Sequence, residues 1–387
     1  MFIILIVEVW GMVEVREITE KKDLKKFINF PDKLYKGQKN YVPEFKGDEL
    51  DMLRPETNFS FEYCDAKFFL AYRDGKIVGR TGAIVNRTAN ERWDQKQIRI
   101  TRMDFIDDME VSGALFGAVE GWAKELGLNE AHGPLGFTDL DKEGLLVEGY
   151  DRLGSSVTIY NYPYYPEHYE AHGYKKDVDW VEYRVKAPEK GDKRIARVQE
   201  LAKKVMERSN VHFFNIKRVK DAAPIIIQIF DLLSECYKDL YGVVPYTEKV
   251  ARDYLRRFTP LLNPNFAKFI IDENNKLAGF ALAAPSFARA LQKCKGRFLP
   301  LGWAYLLNAT WRPREIELYL VAVHPDYQKA GLAALLMNEI TASAIECGVK
   351  YAESSPELEL NKKVQDFWKN YDVEQHKRRR CYVKHLK

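Results

Sequence analysis

Cysteine is scarce and scattered in this sequence. Five thiols (Cys64, Cys236, Cys294, Cys347 and Cys381) stand in 387 residues, and no two have CxxC spacing. An odd, dispersed set supports neither a disulfide framework nor a zinc knuckle, so reduced thiols and a cytoplasmic location are expected. The seven histidines include no HExxH or comparable ligand pair, and no metal is expected. A dominant charge is missing too: 60 basic against 56 acidic residues leave a net +4. That balance does not by itself point to nucleic acid or a membrane, and neither is expected as a partner. The apolar run Phe2 to Val7 is too short to span a bilayer and lacks the flanks of a signal peptide. Met12 opens a more ordinary start than Met1, and translation is expected to begin there.

What is present describes a globular protein, with 46% apolar and 30% charged residues. Its length implies two domains, and a weak internal repeat agrees. In the first stretch Val13 to Ile18 alternates like a strand, and a charged helical region follows at Lys21 to Tyr35. Lys67 to Tyr72 and Lys76 to Asn86 read as a hairpin around Asp74-Gly75. Gln97 to Ile106 is a strand, and Val111 to Leu126 is a helix closed by Gly127. The second stretch repeats the plan. It has a strand at Phe213 to Val219, helices at Ala222 to Leu240 and Thr247 to Phe258, and a hairpin at Phe266 to Ile271 and Lys276 to Ala283. A strand at Glu315 to Val323, a helix at Leu332 to Cys347, a strand at Val349 to Ser354, a helix at Leu358 to Tyr371 and a closing strand at Arg379 to His385 complete it. The polar join Ala187 to Asp192 precedes a basic helix, Lys193 to Ser209. The expected domains are residues 13–187 and 193–387.

The chemistry concentrates where the strand ending at Val323 turns at Pro325 and re-enters as a helix. The first amide N–H groups of that helix lack intrahelical partners, and the positive end of its dipole favours an anion there. Gly331 leaves room for a pyrophosphate, Ala333 keeps the wall low, and Gln328 and Lys329 add a donor and a charge. These residues resemble the GNAT acyltransferase superfamily, whose signature is Gln/Arg-x-x-Gly-x-Gly/Ala after a strand ending in Val-x-Pro. Val323, Pro325, Gln328, Gly331 and Ala333 all match it.

The resemblance implies an α/β (α+β) fold of two tandem GNAT-like domains, each a mixed, mainly antiparallel sheet flanked by helices. It also implies an acyl-CoA co-substrate, acetyl-CoA first among candidates. The pantetheine arm would pair with backbone groups at Val321 and Val323. The pyrophosphate would rest on Gln328, Lys329, Ala330, Gly331, Leu332 and Ala333, with Asn361 as a further contact. Direct attack by an amine needs a base and an acid. Glu317 is the candidate base, and strand parity would place it on one face with Tyr319, Val321 and Val323. At the position where the family often carries an acidic tyrosine this chain has Trp368, whose indole cannot donate a proton as a phenol can. Tyr371, one helical turn later, is the candidate acid, with protonation of the thiolate by water, or binding without rapid catalysis, as the alternatives.

The first half departs from the pattern. Asp107, Asp108 and Glu110 stand where a pyrophosphate would lie, with no glycine pair or basic residue to compensate, so this half is expected to have lost the cofactor. Tyr169, Gly173 and Tyr174 nevertheless fit the family's Tyr-x-x-x-Gly-Phe ending. The aromatic loop Asn161 to Pro166 is a candidate acceptor pocket, with closure of a core as the alternative. About thirty residues between the second hairpin and Glu315 form an insertion, read as a lid or a contact surface. The expected function is acyl-CoA-dependent N-acetyl transfer to a small-molecule or peptide amine. A non-catalytic acyl-CoA sensor and an aminoacyl-tRNA-dependent transferase, using the basic run Lys377 to Arg380, are the alternatives.

Overall fold

The computed structural model describes residues 11–192, 200, 204–259, 262–369 and 371–387. The apolar run 2–7 and the alternative start Met1 lie outside these residues, as does much of the expected helix after Lys193; residues 204–209 are helical.

The first half contributes β1 (Glu14–Glu17), α1 (Lys21–Leu34), α2 (Lys46–Met52), β2 (Cys64–Arg73), β3 (Lys76–Asn86) and α3 (Arg87–Arg92). It continues with β4 (Gln97–Phe105), α4 (Met109–Glu125), β5 (Glu130–Gly133), β6 (Leu145–Glu148), α5 (Tyr165–Ala171) and β7 (Lys175–Lys186). Asp74 and Gly75 both adopt positive φ between β2 and β3, the geometry a tight hairpin turn requires. The second half contributes β8 (Val211–Phe213), α6 (Ile226–Tyr237), α7 (Glu248–Phe258), β9 (Ala267–Asp272), β10 (Leu277–Pro285), α8 (Ala288–Cys294) and α9 (Gly302–Trp311). It ends with β11 (Glu315–Val323), α10 (Leu332–Glu346), β12 (Tyr351–Ser354), β13 (Glu357–Leu358), α11 (Lys362–Trp368) and β14 (Val373–His385). The strand expected from Phe213 is only β8, and the stretch after it enters a 3-10 turn at Val219–Ile225 instead.

One mixed sheet carries both halves, in the order β1-β2-β3-β4-β5-β14-β7-β12-β11-β10-β9-β8. Its parallel pairs are β4–β5 and β11–β12, each joined by a crossover helix, α4 or α10. The halves meet by exchange. The chain's last strand, β14, inserts between β5 and β7, while β7 lies between β14 and β12. Helices cover both faces. In the first half α4 packs on one face and α1 and α2 on the other. In the second, α10 covers one face while α6 and α7 cover the other.

Candidate active site

β11 and β12 pair only from Glu315–Tyr351 to Leu318–Ser354 and then part. Ser355 closes the fork, its backbone and side chain both donating to the Leu318 carbonyl. Beyond the fork, His324 N donates to Ala278 O. Alternate residues of β11 therefore face β10, and Val321 and Val323 turn their backbone groups toward the open edge. Two side chains of α6 reach them there: the Tyr237 hydroxyl donates to Val321 O at 3.0 Å and the Cys236 thiol to Val323 O at 3.3 Å. The carbonyls expected to receive pantetheine thus already have internal donors.

The register between β10 and β11 corrects the expected parity. Ala283 pairs with Leu318 and Leu282 with Leu320, so Tyr319 is an extra residue in a bulge. A bulge shifts the side-chain alternation by one. Ile316, Leu318, Val321 and Val323 consequently pack toward α10, while Leu320 and Ala322 pack toward α6 and α7. Glu317 shares its side of the sheet with Leu320 and Ala322, not with Val321 and Val323.

Glu317 is buried, at 5% exposure. Ser286, just past the end of β10, donates to Oε1 at 2.7 Å, and Ser155, from a first-half loop, donates to Oε2 at 2.8 Å. The bulged Tyr319 directs its hydroxyl at the same carboxylate from 3.4 Å. Burial, reinforced by the negative charge of Glu353, pushes the Glu317 carboxyl up to about 7, against the opposing pull of the two serines. A carboxyl so tuned is half ionised at neutral pH and can both take and return a proton. A crevice of about 10 Å³ beside it is lined by Arg184, Glu315, Tyr351 and Glu353 as well as Ser286 and Glu317.

Behind the cleft lies a buried ionic cluster. Lys377 bonds Glu353, and Arg379 bonds Glu182 and the Ile159 carbonyl. Against the opposing effect of burial, the His376 hydrogen bond and the Lys377 charge hold the Glu353 carboxyl down at about 2. Glu182, Glu353 and His376 converge, as do His132, Asp177 and Cys381. The carboxylates of the first group are already engaged by Lys377 and Arg379, and Tyr241 bonds Asp177 in the second; neither is offered as a metal centre. The same pairing accounts for the basic run, since Arg378 and Arg380 bond Asp179. It stabilises the β7–β14 junction and presents no free basic stripe.

At the far end of β11 the chain follows a 3-10 turn, Pro325–Ala330, into α10. Gly331 adopts φ 80°, and a Cβ there would meet nothing within 4 Å. Its role is therefore conformational as well as spatial. It reverses the chain so that α10 begins with Leu332 and leaves that helix end without a side-chain cap. Gln328, Lys329 and Gly331 are exposed, and Ala330 and Ala333 are half-buried. The Leu332 side chain is fully buried in the core under the turn, leaving only its backbone to face a ligand. The first half offers the contrast. There Asp108 caps α4, accepting from the amides of Glu110 and Val111. The helix end that would greet a phosphate carries its own carboxylate. The expectation that no basic residue compensates fails: Arg73, from the end of β2, pairs with Asp108 and Glu110, each at 2.6 Å.

The structure does not bring Tyr371 to Glu317. Its ring packs with Phe367 and Trp368 on the α10 side, near Leu318 and Met337. Asn361 precedes α11, and its carbonyl accepts from Val364 and Gln365. The feature absent from the sequence reading is Glu357. The Trp368 indole donates to both of its oxygens, at 2.9 and 3.0 Å. Burial pushes this carboxyl too up to about 7. Glu357 lies two residues past Ser355, in β13, which pairs with β7. The loop Asn161 to Pro166 closes the first-half core rather than lining a pocket: Tyr165 is fully buried, stacks on Phe105 and accepts from the Phe105 amide.

Two tandem units, a forked parallel pair and an uncapped helix end beyond it define an acyltransferase of the GNAT type. Residues 226–371 match the acetyltransferase (GNAT) family. The chain superposes on a tandem GNAT protein from the clavulanic acid biosynthesis pathway, with a TM-score of 0.56 at 10% identity, covering 96% of this chain and 98% of that one. Protein YghO of Escherichia coli (strain K12) is 27% identical over 96% of this chain and 95% of its own length. Bacterial ceramide synthase of Caulobacter vibrioides (strain NA1000 / CB15N) is 26% identical over 94% and 95% respectively. The second half thus carries the GNAT family match, and the likeness to the tandem GNAT protein extends the same fold to the first half.

Proposed function

We propose that this protein transfers a fatty acyl group from coenzyme A to the amino group of a lipid-like amine, forming an amide. The observation that carries the reading is the arrangement on β11. A buried carboxyl tuned to about 7 stands before the fork, and an uncapped helix end stands beyond it. The class of amine is supported by the likeness to bacterial ceramide synthase along nearly the whole of both chains; a ceramide is the amide of a fatty acid and a long-chain amino alcohol. Long-chain transfer is the favoured reading, with the acetyl transfer expected from the sequence resemblance as the alternative that the thiol-release test separates.

In this reading Gln328 to Ala333 hold the pyrophosphate and the open edge at Val321 and Val323 receives the pantetheine arm, with Tyr237 and Cys236 yielding the carbonyls they occupy. The amine reaches the crevice between Glu317 and Glu353 as an ammonium ion, and the crevice widens to admit it. Glu317 takes the proton, the nitrogen attacks the thioester carbon, a C–N bond forms, the C–S bond breaks, and the second proton that the nitrogen sheds as the amide forms passes to water. Glu357, steadied by Trp368, returns a proton to the departing thiolate in place of Tyr371. The test is thiol release from acetyl-, octanoyl- and palmitoyl-CoA with a long-chain amino alcohol, a short amine and a peptide amine. Release that is greatest with palmitoyl-CoA and the amino alcohol is expected. Preference for acetyl-CoA and a short amine would overturn the substrate class, and binding without release from any pair would favour a sensor.

A further inference from the structure

The insertion between β10 and β11 folds as a helical hairpin, α8 and α9. Its inner side packs against the first half, with Leu291, Phe287 and Leu306 meeting Val42, Phe45 and Leu153. Gln292 donates to the carbonyls of Lys39 and Tyr41, and Lys46 N donates to Gly296 O. The hairpin is therefore anchored, and its outer side is a fixed surface rather than a loose flap.

That outer side is apolar. Twelve large hydrophobic residues are exposed among the described ones, and six of them (Phe298, Leu299, Leu301, Trp303, Leu307 and Trp311) fall within a single short segment. Trp303, Leu307 and Trp311 recur every four residues along α9, so they form one stripe. Single exposed apolar residues need no explanation, but a contiguous patch marks a binding surface. The charge around it has one sign. Arg289, Lys293, Lys295, Arg297, Arg312 and Arg314 are all exposed, and no Asp or Glu occurs between Ser286 and Arg314.

We infer that this hairpin seats the protein on an anionic lipid bilayer. Tryptophans at the rim with lysines and arginines beside an apolar stripe is the composition of an interfacial helix lying in the headgroup plane. Spanning is not involved, since no helix among the described residues is long and apolar enough to cross a membrane. A second copy of the chain fits poorly as the occupant, because two such hairpins would face each other with like charge. The position also suits delivery: α8 starts two residues after Ser286, which bonds the Glu317 carboxylate. The inference rests on the exposed residues alone and holds whatever the acceptor of the acyl group is.

The test is flotation of the full-length protein with vesicles of phosphatidylcholine, or of phosphatidylcholine and phosphatidylglycerol in equal parts, without acyl-CoA. Two triple variants are compared, Trp303→Ser/Leu307→Ser/Trp311→Ser and Lys293→Gln/Lys295→Gln/Arg297→Gln, with circular dichroism confirming that each folds. Wild type should float with the anionic vesicles and show a blue-shifted tryptophan emission, and partition should fall about tenfold or more in each variant. Equal flotation of wild type and both variants, or none with either vesicle, would overturn the inference. So would a wild-type dimer in light scattering that the apolar variant abolishes. Because no turnover is measured, a failed transfer assay does not bear on this result.

Discussion

Replacing Glu317 by Gln keeps the shape of the side chain and its reach to Ser155 and Ser286, but removes the group that takes the proton. Two consequences of opposite sign follow. General-base catalysis by a positioned side chain contributes about 10²- to 10⁴-fold, so kcat should fall by that range. The acyl-CoA KM should hold, because the Gln328–Ala333 turn lies beyond the other end of β11. Wild-type rate should rise with pH through about 7 as Glu317 ionises and fall again on the alkaline limb set by Glu357, and the variant should lose the rising limb. Stability moves the other way. The carboxyl rises from 4.5 to about 7 on folding, so its protonated form favours the fold. That contribution is complete below about pH 4.5 and is lost as pH rises through about 7. The gap corresponds to roughly 3 kcal/mol at most. Glu317→Gln should therefore melt higher than wild type at pH 8.5 and alike near pH 4.5. The assays are thiol release across pH and thermal unfolding monitored by circular dichroism. A variant that keeps the wild-type pH limb, or loses less than about tenfold in kcat, would refute the assignment of the base.

Three further outcomes are expected. Gly331→Ala forces a residue with a Cβ into the left-handed region at a cost of about 1 kcal/mol. Calorimetry should show weaker CoA binding by roughly fivefold, and unchanged binding would detach the turn from the ligand. Trp368→Phe removes the donor that holds the Glu357 carboxyl down, so that carboxyl rises further and the alkaline limb of the pH–rate profile should move upward. Tyr371→Phe should leave the profile unchanged, and the reverse pattern would restore Tyr371 as the acid. Asp108→Ala uncaps α4 and should lower stability by about 1 kcal/mol in denaturant titration, with CoA binding intact; lost binding would place a cofactor role in the first half.

What could be read in the sequence was local. The Gln328–Ala333 turn follows from a strand, a proline and a glycine within a dozen residues, and Glu317 from the family resemblance that the turn carries. The bulge at Tyr319 was hidden, because an extra residue shows only against a partner strand, and it reversed the parity argument. Ser155 and Ser286 were hidden for the same reason, reaching Glu317 from a first-half loop and from just past the end of β10. The carboxylates at the first-half helix end were legible, but Arg73 lies 35 residues from Asp108 and was missed. Glu357 carried no signal of its own; only the fold of α11 sets the Trp368 indole against it. The exchange of β7 and β14 is a long-range pairing that no local pattern encodes.

The central claim is that an amide is made. Palmitoyl-CoA and a long-chain amino alcohol should be incubated with wild type and Glu317→Gln, and the product identified by mass spectrometry before and after mild alkali. The account predicts an N-acyl product that survives alkali and is nearly absent from the variant. No acylated product, or one that alkali cleaves as an ester, would contradict it.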